Sequence, residues 1–320
     1  MMSCRHNYPG YRSEGVGKQT LDLPSGSGMH LHDLLVKGLA EEGHEVLYHL
    51  PLGTSIALPE GVRHIVSPTF DADICHIMAR QHEPVAKAFL ANGRPAVATN
   101  HLYVQSEVAP KHWVHVSKTI ANKYKSNRYI WCGLDPQDFL YSDQKEDYLL
   151  FISNQLRFKE KGLITALEVA REHETPLVVV GSSSKREDID EVDRLCALYG
   201  ATYLGDVRGI EKAKLLAKAK ALISPSELCE SFGLVLVEAM FSGTPVICSE
   251  VGAYPEIVST VVGFVCKDKA AYHIALEQLS TISSAVCRQM AMEHYHYKVM
   301  THAYIELYRA ELTSYKEIAY

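Results

Sequence analysis

Short apolar runs separated by turn residues alternate with amphipathic stretches along most of the chain. The leucines between Met29 and Glu42 recur at helical spacing and predict a helix there, and a second helix is predicted over 83–91. In the first part of the chain the apolar runs predict strands over 44–50, 63–67, 74–78, 96–100, 113–117 and 129–132. Apolar strands that alternate with helices indicate a parallel sheet of the α/β class.

The alternation starts afresh after a polar segment, 141–147, which is interpreted as a linker between two domains. Beyond it, apolar runs predict strands over 148–152, 177–181, 221–223, 246–249 and 263–265, and a strand followed by a loop over 202–207. Helices are predicted over 163–171, 186–198, 210–219 and 234–241, and the chain is predicted to be helical from 270 onward. An apolar and aromatic stripe near the end is expected to face the core and consists of Tyr295, Val299, Tyr304, Leu307 and Tyr308.

The first 25 residues are polar and rich in turn formers, and no strand is predicted in them. They also lack the apolar core of a signal peptide, so a cytoplasmic protein is expected. No apolar run is long enough to span a membrane. The basic stretch over 111–128 is interpreted as a solvated face rather than a peripheral membrane contact.

Composition narrows the function classes further. With 320 residues the chain is long enough for two domains, and a net charge of −6 argues against a nucleic-acid partner. The eight cysteines show no C-x-x-C pair and are expected to be free thiols. The 16 histidines show no H-E-x-x-H spacing, so neither a metal site nor a cofactor is expected.

The stretch from Ser224 to Pro245 carries the clearest chemistry. An apolar run ends at Ser224-Pro225, and Gly233 then opens an apolar segment that is predicted to be helical. A glycine at the start of a helix leaves the first amide N–H groups accessible, and the helix dipole adds positive potential there. This arrangement predicts a phosphate site at Gly233.

Two glutamates stand on either side of this predicted phosphate site. Glu230 lies in the loop before the helix, and Glu238 lies about one turn inside it. An ionised carboxylate only accepts hydrogen bonds, so it repels phosphate but suits sugar and ribose hydroxyls. The pattern therefore predicts a nucleotide-sugar site, with the diphosphate at the helix start and one glutamate on each sugar.

The segment from Glu230 to Glu238 resembles the E-x7-E motif of the family-4 (group 1) retaining glycosyltransferases, which have the GT-B fold. In that family the first glutamate, here Glu230, lies by the donor sugar, and the second, here Glu238, binds the nucleotide ribose. The backbone between them contacts the donor sugar and phosphate, which implies donor-binding roles for Ser231, Phe232, Gly233 and Leu234.

Further segments resemble this family in the same order. Arg157 and Lys161 are similar to the arginine and lysine that bind the donor diphosphate, with Lys159 as a competing candidate. His101, at the end of a predicted strand, resembles a family histidine close to the donor sugar. The strand and loop ending at Val207 resemble the segment whose backbone holds the nucleotide base.

The glycine-rich stretch with Gly26 and Gly28 resembles the loop that follows the first strand of that family. The apolar strand that directly precedes this loop in the family is not apparent here. Either the start of the domain lies upstream, or the strand is degenerate, or the sheet lacks it.

The resemblance implies two Rossmann-like doubly wound parallel-sheet domains facing a cleft. The expected divisions are an acceptor-side domain over 1–140, a nucleotide-sugar-binding domain over 147–295 and a C-terminal helix over 296–320 that crosses back to the first domain. The expected activity is retaining, metal-independent transfer of a hexose from a UDP- or GDP-linked sugar to a small or glycan hydroxyl acceptor. Alternatives are a nucleotide-sugar epimerase of the same fold and a non-catalytic nucleotide-sugar-binding relative. A Rossmann dehydrogenase is disfavoured, because no G-x-G-x-x-G follows a strand.

Overall fold

The computed structural model describes residues 2–3, 28–50, 58–78, 82–101, 110–153 and 157–318. The chain divides into two compact units. Unit 1 comprises Met1–Asp135 and Tyr295–Tyr320, and unit 2 comprises Pro136–His294. The polar segment 141–147 therefore belongs to unit 2, and the C-terminal residues return to unit 1.

The strands and helices follow one another in the alternation that the apolar pattern predicts. Up to Asp135 they are β1 (Met2–Ser3), α1 (Gly28–Glu41), β2 (Val46–His49), β3 (Val62–Ile65), β4 (Cys75–Ile77), α2 (Glu83–Ala91), β5 (Ala96–Asn100), β6 (Trp113–His115) and α3 (Lys118–Lys123). The remaining elements are β7 (Leu149–Ile152), α4 (Leu163–Glu172), β8 (Leu177–Val180), α5 (Arg186–Tyr199), β9 (Thr202–Tyr203), α6 (Gly209–Lys218), β10 (Ala221–Ser224), α7 (Leu234–Phe241), β11 (Val246–Ser249), α8 (Tyr254–Ile257), β12 (Gly263–Cys266), α9 (Lys269–Gln278), α10 (Ser284–Tyr295) and α11 (Tyr297–Ile318). Single 3₁₀ turns occur at Pro110–His112, Pro136–Asp138 and Leu279–Thr281.

Unit 1 contains a parallel sheet with the strand order β3-β2-β1-β4-β5-β6. The prediction that the first 25 residues hold no strand is wrong, because Met2 and Ser3 form β1 at the centre of this sheet. Met2 pairs with Tyr48 on one side and His76 on the other. A strand of two residues shows no periodicity, which is why the apolar pattern did not reveal it.

Two smaller expectations for unit 1 are also corrected. Only a single bridge, between His115 and Tyr129, forms where a strand was predicted over 129–132. Val299 is 41% exposed and does not belong to the core, whereas Tyr304 and Tyr308 are buried. The hydroxyl groups of Tyr304 and Thr99 lie 2.7 Å apart, so α11 packs on the sheet of unit 1 through its buried tyrosines.

Unit 2 contains a second parallel sheet, with the order β12-β11-β10-β7-β8-β9. The chain runs outward in one direction from β7 to β9 and in the other from β10 to β12. The order therefore reverses between β7 and β10, which is where open α/β sheets bind ligands, outside the carboxyl ends of the strands. Helices α4, α5 and α9 bury the apolar side chains of the sheet, so that Phe151 of β7 and Leu167 of α4 share one core.

Candidate functional site

Two of the predicted site residues meet at the strand-order reversal of unit 2. Strands β7 and β10 are direct neighbours, with Leu150 paired to Leu222. The loop after β7 carries Lys161, and the loop after β10 carries Glu230. Because both strands run in the same direction, their carboxyl ends place these two loops side by side.

Lys161 and Glu230 form a hydrogen-bonded ion pair. The Nζ of Lys161 donates to Oε1 of Glu230, and Ser226 Oγ donates to the same oxygen at 3.1 Å. Both charged side chains are partly buried. Partial burial strengthens their mutual attraction relative to a pair in water. The pair places one positive and one negative group, both partly exposed, at the carboxyl ends of the strands.

A close backbone approach holds the Lys161 loop against the turn after β10. Gly162 has φ +79°, and a Cβ at this position would lie 1.9 Å from the carbonyl oxygen of Pro225. The amide of Glu227 donates to the carbonyl of Glu160 at 2.8 Å across the same contact. Only glycine permits this approach, so Gly162 determines where Lys161 lies.

The predicted helix start at Gly233 is present. Gly233 precedes α7 with φ +115°, a conformation that side chains rarely adopt. A Cβ here would lie 2.6 Å from Cε1 of Tyr254. The ring of Tyr254 therefore packs directly under the point where the helix begins and where the sequence predicts phosphate.

Tyr254 also supports Glu230. Its hydroxyl lies 3.0 Å from Ser224 Oγ, and burial, together with the charge of Glu230, raises its pKa well above the ordinary value. The phenol is therefore neutral at physiological pH and can donate a hydrogen bond. The amide of Ala253 donates to the carbonyl of Glu230 at 3.0 Å, which fixes the backbone of the glutamate.

The second glutamate of the motif is buried and paired. Glu238 lies within α7, and its side chain is only 2% exposed. Its Oε2 accepts a hydrogen bond of 2.7 Å from Nζ of Lys212, which lies on α6. A cation within hydrogen-bond distance offsets part of the cost of burying a carboxylate this deeply.

The other two cations of the predicted diphosphate loop have different partners. Arg157 is 55% exposed and pairs with Glu160 in its own turn at 2.8 Å. The Nζ of Lys159 lies over the ring of Phe158. Of the three candidates, Lys161 is the one that contacts Glu230.

The remaining donor-binding candidates of unit 2 lie on the same loops. Phe232 is buried, whereas Ser231, Gly233 and Leu234 are partly exposed around the start of α7. Val207, also partly exposed, lies in the loop between β9 and α6.

Unit 1 brings two other predicted residues together. Gly28 is the first residue of α1, and His101 follows β5. A Cβ on Gly28 would lie 3.6 Å from the ring of His101. Neighbouring atoms desolvate this ring and lower its pKa to about 4, although part of the residue stays exposed. His101 is therefore neutral near pH 7. Gly26 lies outside the described residues.

Three residues in contact with the motif glutamates are absent from the sequence prediction. Ser226 stands four residues before Glu230, in the same turn, so its proximity could have been inferred. Tyr254 lies in α8, a helix of four residues that is too short to show a helical period. Lys212 shows no local signal, because its contact with Glu238 joins two helices.

Neither a metal cluster nor a membrane-spanning helix is found among the described residues. Within the described ranges no group of three or more histidine, cysteine, aspartate or glutamate side chains is arranged to hold a metal ion. Among the same residues no helix is both long and apolar enough to cross a bilayer.

Comparison with solved structures defines the class of fold. The chain superposes on AviGT4, a glycosyltransferase involved in avilamycin A biosynthesis, with a TM-score of 0.78, 25% identity and 98% of each chain covered. HepE from Anabaena, solved in complex with UDP, superposes with a TM-score of 0.68 at 14% identity over 97% of this chain and 99% of its own. The fold is the GT-B fold of glycosyltransferases, as the resemblance implied.

Unit 2 carries the match to a protein family. Residues 138–295, just under half of the chain, match the family model described as "Glycosyl transferases group 1". A curated relative is the D-rhamnosyltransferase WbpZ of Pseudomonas aeruginosa, 23% identical over 67% of this chain and 57% of its own length. The matches to the first curated relatives span between 30% and 57% of those proteins.

Proposed function

We propose that this protein is a retaining glycosyltransferase that moves a hexose from a nucleotide-diphosphate sugar to a hydroxyl acceptor. The observation that carries the proposal is the contact between Lys161 and Glu230 at the strand-order reversal of unit 2. The contact joins a cation for phosphate and a carboxylate for sugar hydroxyls, next to a helix start suited to phosphate.

In this proposal Lys161 stabilises the charge that develops on the leaving diphosphate. An ammonium group has three donors, so Lys161 can keep its contact with Glu230 and still donate to a phosphate oxygen. The amide groups at the start of α7 supply further donors. Arg157 is exposed and pairs with Glu160 through Nε, so its other N–H groups can donate to the diphosphate. Charge supplied in this way requires no metal ion, so EDTA should leave the transfer rate unchanged.

The two glutamates have separate roles in the proposed reaction. Glu230 orients the donor sugar, supported by Ser226 and Tyr254, and Glu238 accepts hydrogen bonds from the ribose. The resemblance implies a donor-sugar role for the neutral ring of His101. UDP-linked donors are tested first because a neighbour with the same fold, HepE, was solved with UDP, and GDP-linked donors second.

A thermal-shift screen of UDP- and GDP-hexoses tests binding, because a ligand that binds only the folded state raises the melting temperature. Release of the nucleoside diphosphate in the presence of sugar acceptors then tests transfer, and NMR of the product's anomeric proton tests retention. Conversion of the donor without an acceptor would favour the epimerase. Binding without transfer or hydrolysis would favour the non-catalytic relative, and no binding at all would overturn the proposal.

A further inference from the structure

The lysine on α6 that pairs with Glu238 differs from the other charged residues around it. Arg208 and Lys214 pair with acids close to them in sequence, Asp206 and Glu211, and both cations are more than half exposed. Lys212 instead reaches across to α7, and its side chain is only 16% exposed. The contact therefore joins two helices in the interior of unit 2, 26 residues apart in sequence.

Burying a carboxylate is costly unless a cation is paired with it and holds it by a hydrogen bond. An ionised carboxylate accepts only, which suits the neighbouring hydroxyls of a ribose. Lys212 binds Oε2 of Glu238, so Oε1 is the oxygen that can accept from a ligand.

Lys212 also lies close in sequence to the loop that is expected to hold the nucleotide base. It is the fourth residue of α6, which begins at Gly209, two residues after Val207. Along α7, Glu238 lies four residues beyond Leu234, or about 6 Å at the helical rise per residue. The ion pair thus joins the helix that follows the base loop to the helix that begins at the predicted phosphate site.

We propose that Lys212 is a positioning residue for nucleotide recognition: its charge pairs with Glu238 and orients the carboxylate, and so makes the site selective for ribose over deoxyribose. This inference rests on the proposed function, because it assigns the ribose to Glu238. Lys212 acts through Glu238 and need not touch the ligand. Its charge also offsets the repulsion between Glu238 and a diphosphate bound at Gly233.

The test measures binding of UDP and GDP, and of their 2′-deoxy analogues, by calorimetry on the full chain. We expect wild type to prefer the ribonucleotide by about tenfold, the effect of losing one hydrogen bond to a charged group. K212M should reduce the preference to below about threefold, while K212R, which keeps the charge, should retain it. E238Q should also reduce the preference, and adding K212M to E238Q should change it no further.

Lys214 provides the matched control, since it lies on the same helix and pairs locally with Glu211. K214M should bind both nucleotides like wild type. If Lys212 had only a structural role, K212M would have a lower melting temperature and would bind the ribose and deoxyribose forms more weakly by the same factor. The ratio of the two affinities would then be unchanged. If K212M does not fold, K212Q, which keeps a donor but no charge, is measured instead and should show the same loss of preference.

The outcomes distinguish a failure of this inference from a failure of the proposed function. If wild type prefers the ribonucleotide and the K212M or K212Q protein keeps that preference, the role of Lys212 is overturned and the proposed function stands. If wild type binds the ribose and deoxyribose forms equally, the role of Lys212 is likewise overturned. If wild type binds neither UDP nor GDP, the proposed function fails and this inference fails with it.

Discussion

At the scale of single residues, the candidate site depends on which charges are held together. Lys161 and Lys159 stand two positions apart, and the sequence leaves both as candidates for the diphosphate. The structure separates them, because Lys161 contacts Glu230 whereas Lys159 lies over Phe158. A turn of the chain between them points the two side chains toward different neighbours.

Lys161→Ala should lower kcat by about 100-fold, because removal of one donor to a developing anion costs about 3 kcal/mol in the transition state. Lys159→Ala is the matched control and should change kcat by less than about threefold, as expected for a solvated charge. Steady-state rates with a saturating donor measure both. Equal losses in the two variants would contradict the assignment of Lys161.

His101 should remain neutral throughout the physiological range, since its pKa is lowered to about 4 by desolvation. In histidine-labelled protein, the ring signal that disappears in His101→Gln should not shift between pH 8 and pH 5.5. A titration midpoint near the ordinary value of about 6.5 would show that the ring is solvated and would weaken its assignment to a site.

At the scale of elements, loop position depends on close contacts between segments far apart in sequence. The loop after β7 lies against the turn after β10 because Gly162 leaves room for the carbonyl of Pro225. Tyr254 of α8 packs under Gly233 at the start of α7. These contacts place a cation, a carboxylate and a helix start within one small region of unit 2.

Gly162→Ala should therefore destabilise the protein and reduce activity together, because the new Cβ would collide with the Pro225 carbonyl and displace Lys161. Gly200 is the matched control. It has a similar φ of +75°, but nothing lies within 4 Å of a Cβ built there. Gly200→Ala should cost only the left-handed strain of about 1 kcal/mol and leave kcat unchanged.

Urea unfolding and donor turnover of the two variants measure this difference. If Gly162→Ala and Gly200→Ala cost the same free energy of unfolding and both retain wild-type turnover, the close approach at Pro225 does not position the site.

At the scale of the whole molecule, each unit has its own sheet and its own polar interior. In unit 1 a buried hydrogen-bond network surrounds His76, whose Nδ1 lies 2.5 Å from the hydroxyl of Tyr308 and whose Nε2 lies 2.7 Å from Thr99 Oγ1. Burial lowers the pKa of His76 to about 3. The folded unit therefore keeps this ring neutral at pH values where an unfolded chain would protonate it.

This network predicts acid sensitivity in unit 1. Below about pH 6.5 the unfolded chain binds a proton at His76 while the folded unit does not, so stability falls as pH falls. Between pH 7 and pH 5 this single group should lower the free energy of unfolding by about 2 kcal/mol. Both tryptophans of the chain, Trp113 and Trp131, belong to unit 1, so their fluorescence reports its unfolding.

Urea unfolding at the two pH values measures the effect. His76→Gln, which cannot titrate, should be less stable at pH 7 but should lose about 2 kcal/mol less than wild type on acidification. His44→Gln, at an exposed position, should behave like wild type. The same pH dependence in His76→Gln and wild type would rule out His76 as its cause.

The sequence alone was enough to predict most elements, the α/β class, and the loop and helix that carry the motif glutamates. Those features depend on local periodicity and on spacing within one segment, and helix 83–91 was predicted with its correct bounds. The central strand at Met2–Ser3 was missed because two residues are too few to show an alternation of apolar and polar positions.

Only the tertiary structure decided which side chains meet. Lys161 and Glu230 are 69 residues apart, and Lys212 and Glu238 are 26 apart. Such pairs depend on which strands become neighbours and which helices pack together, and no local pattern encodes that. The sequence thus determined the chemical groups available at the site, and the sheet order and close glycine contacts determined their pairing.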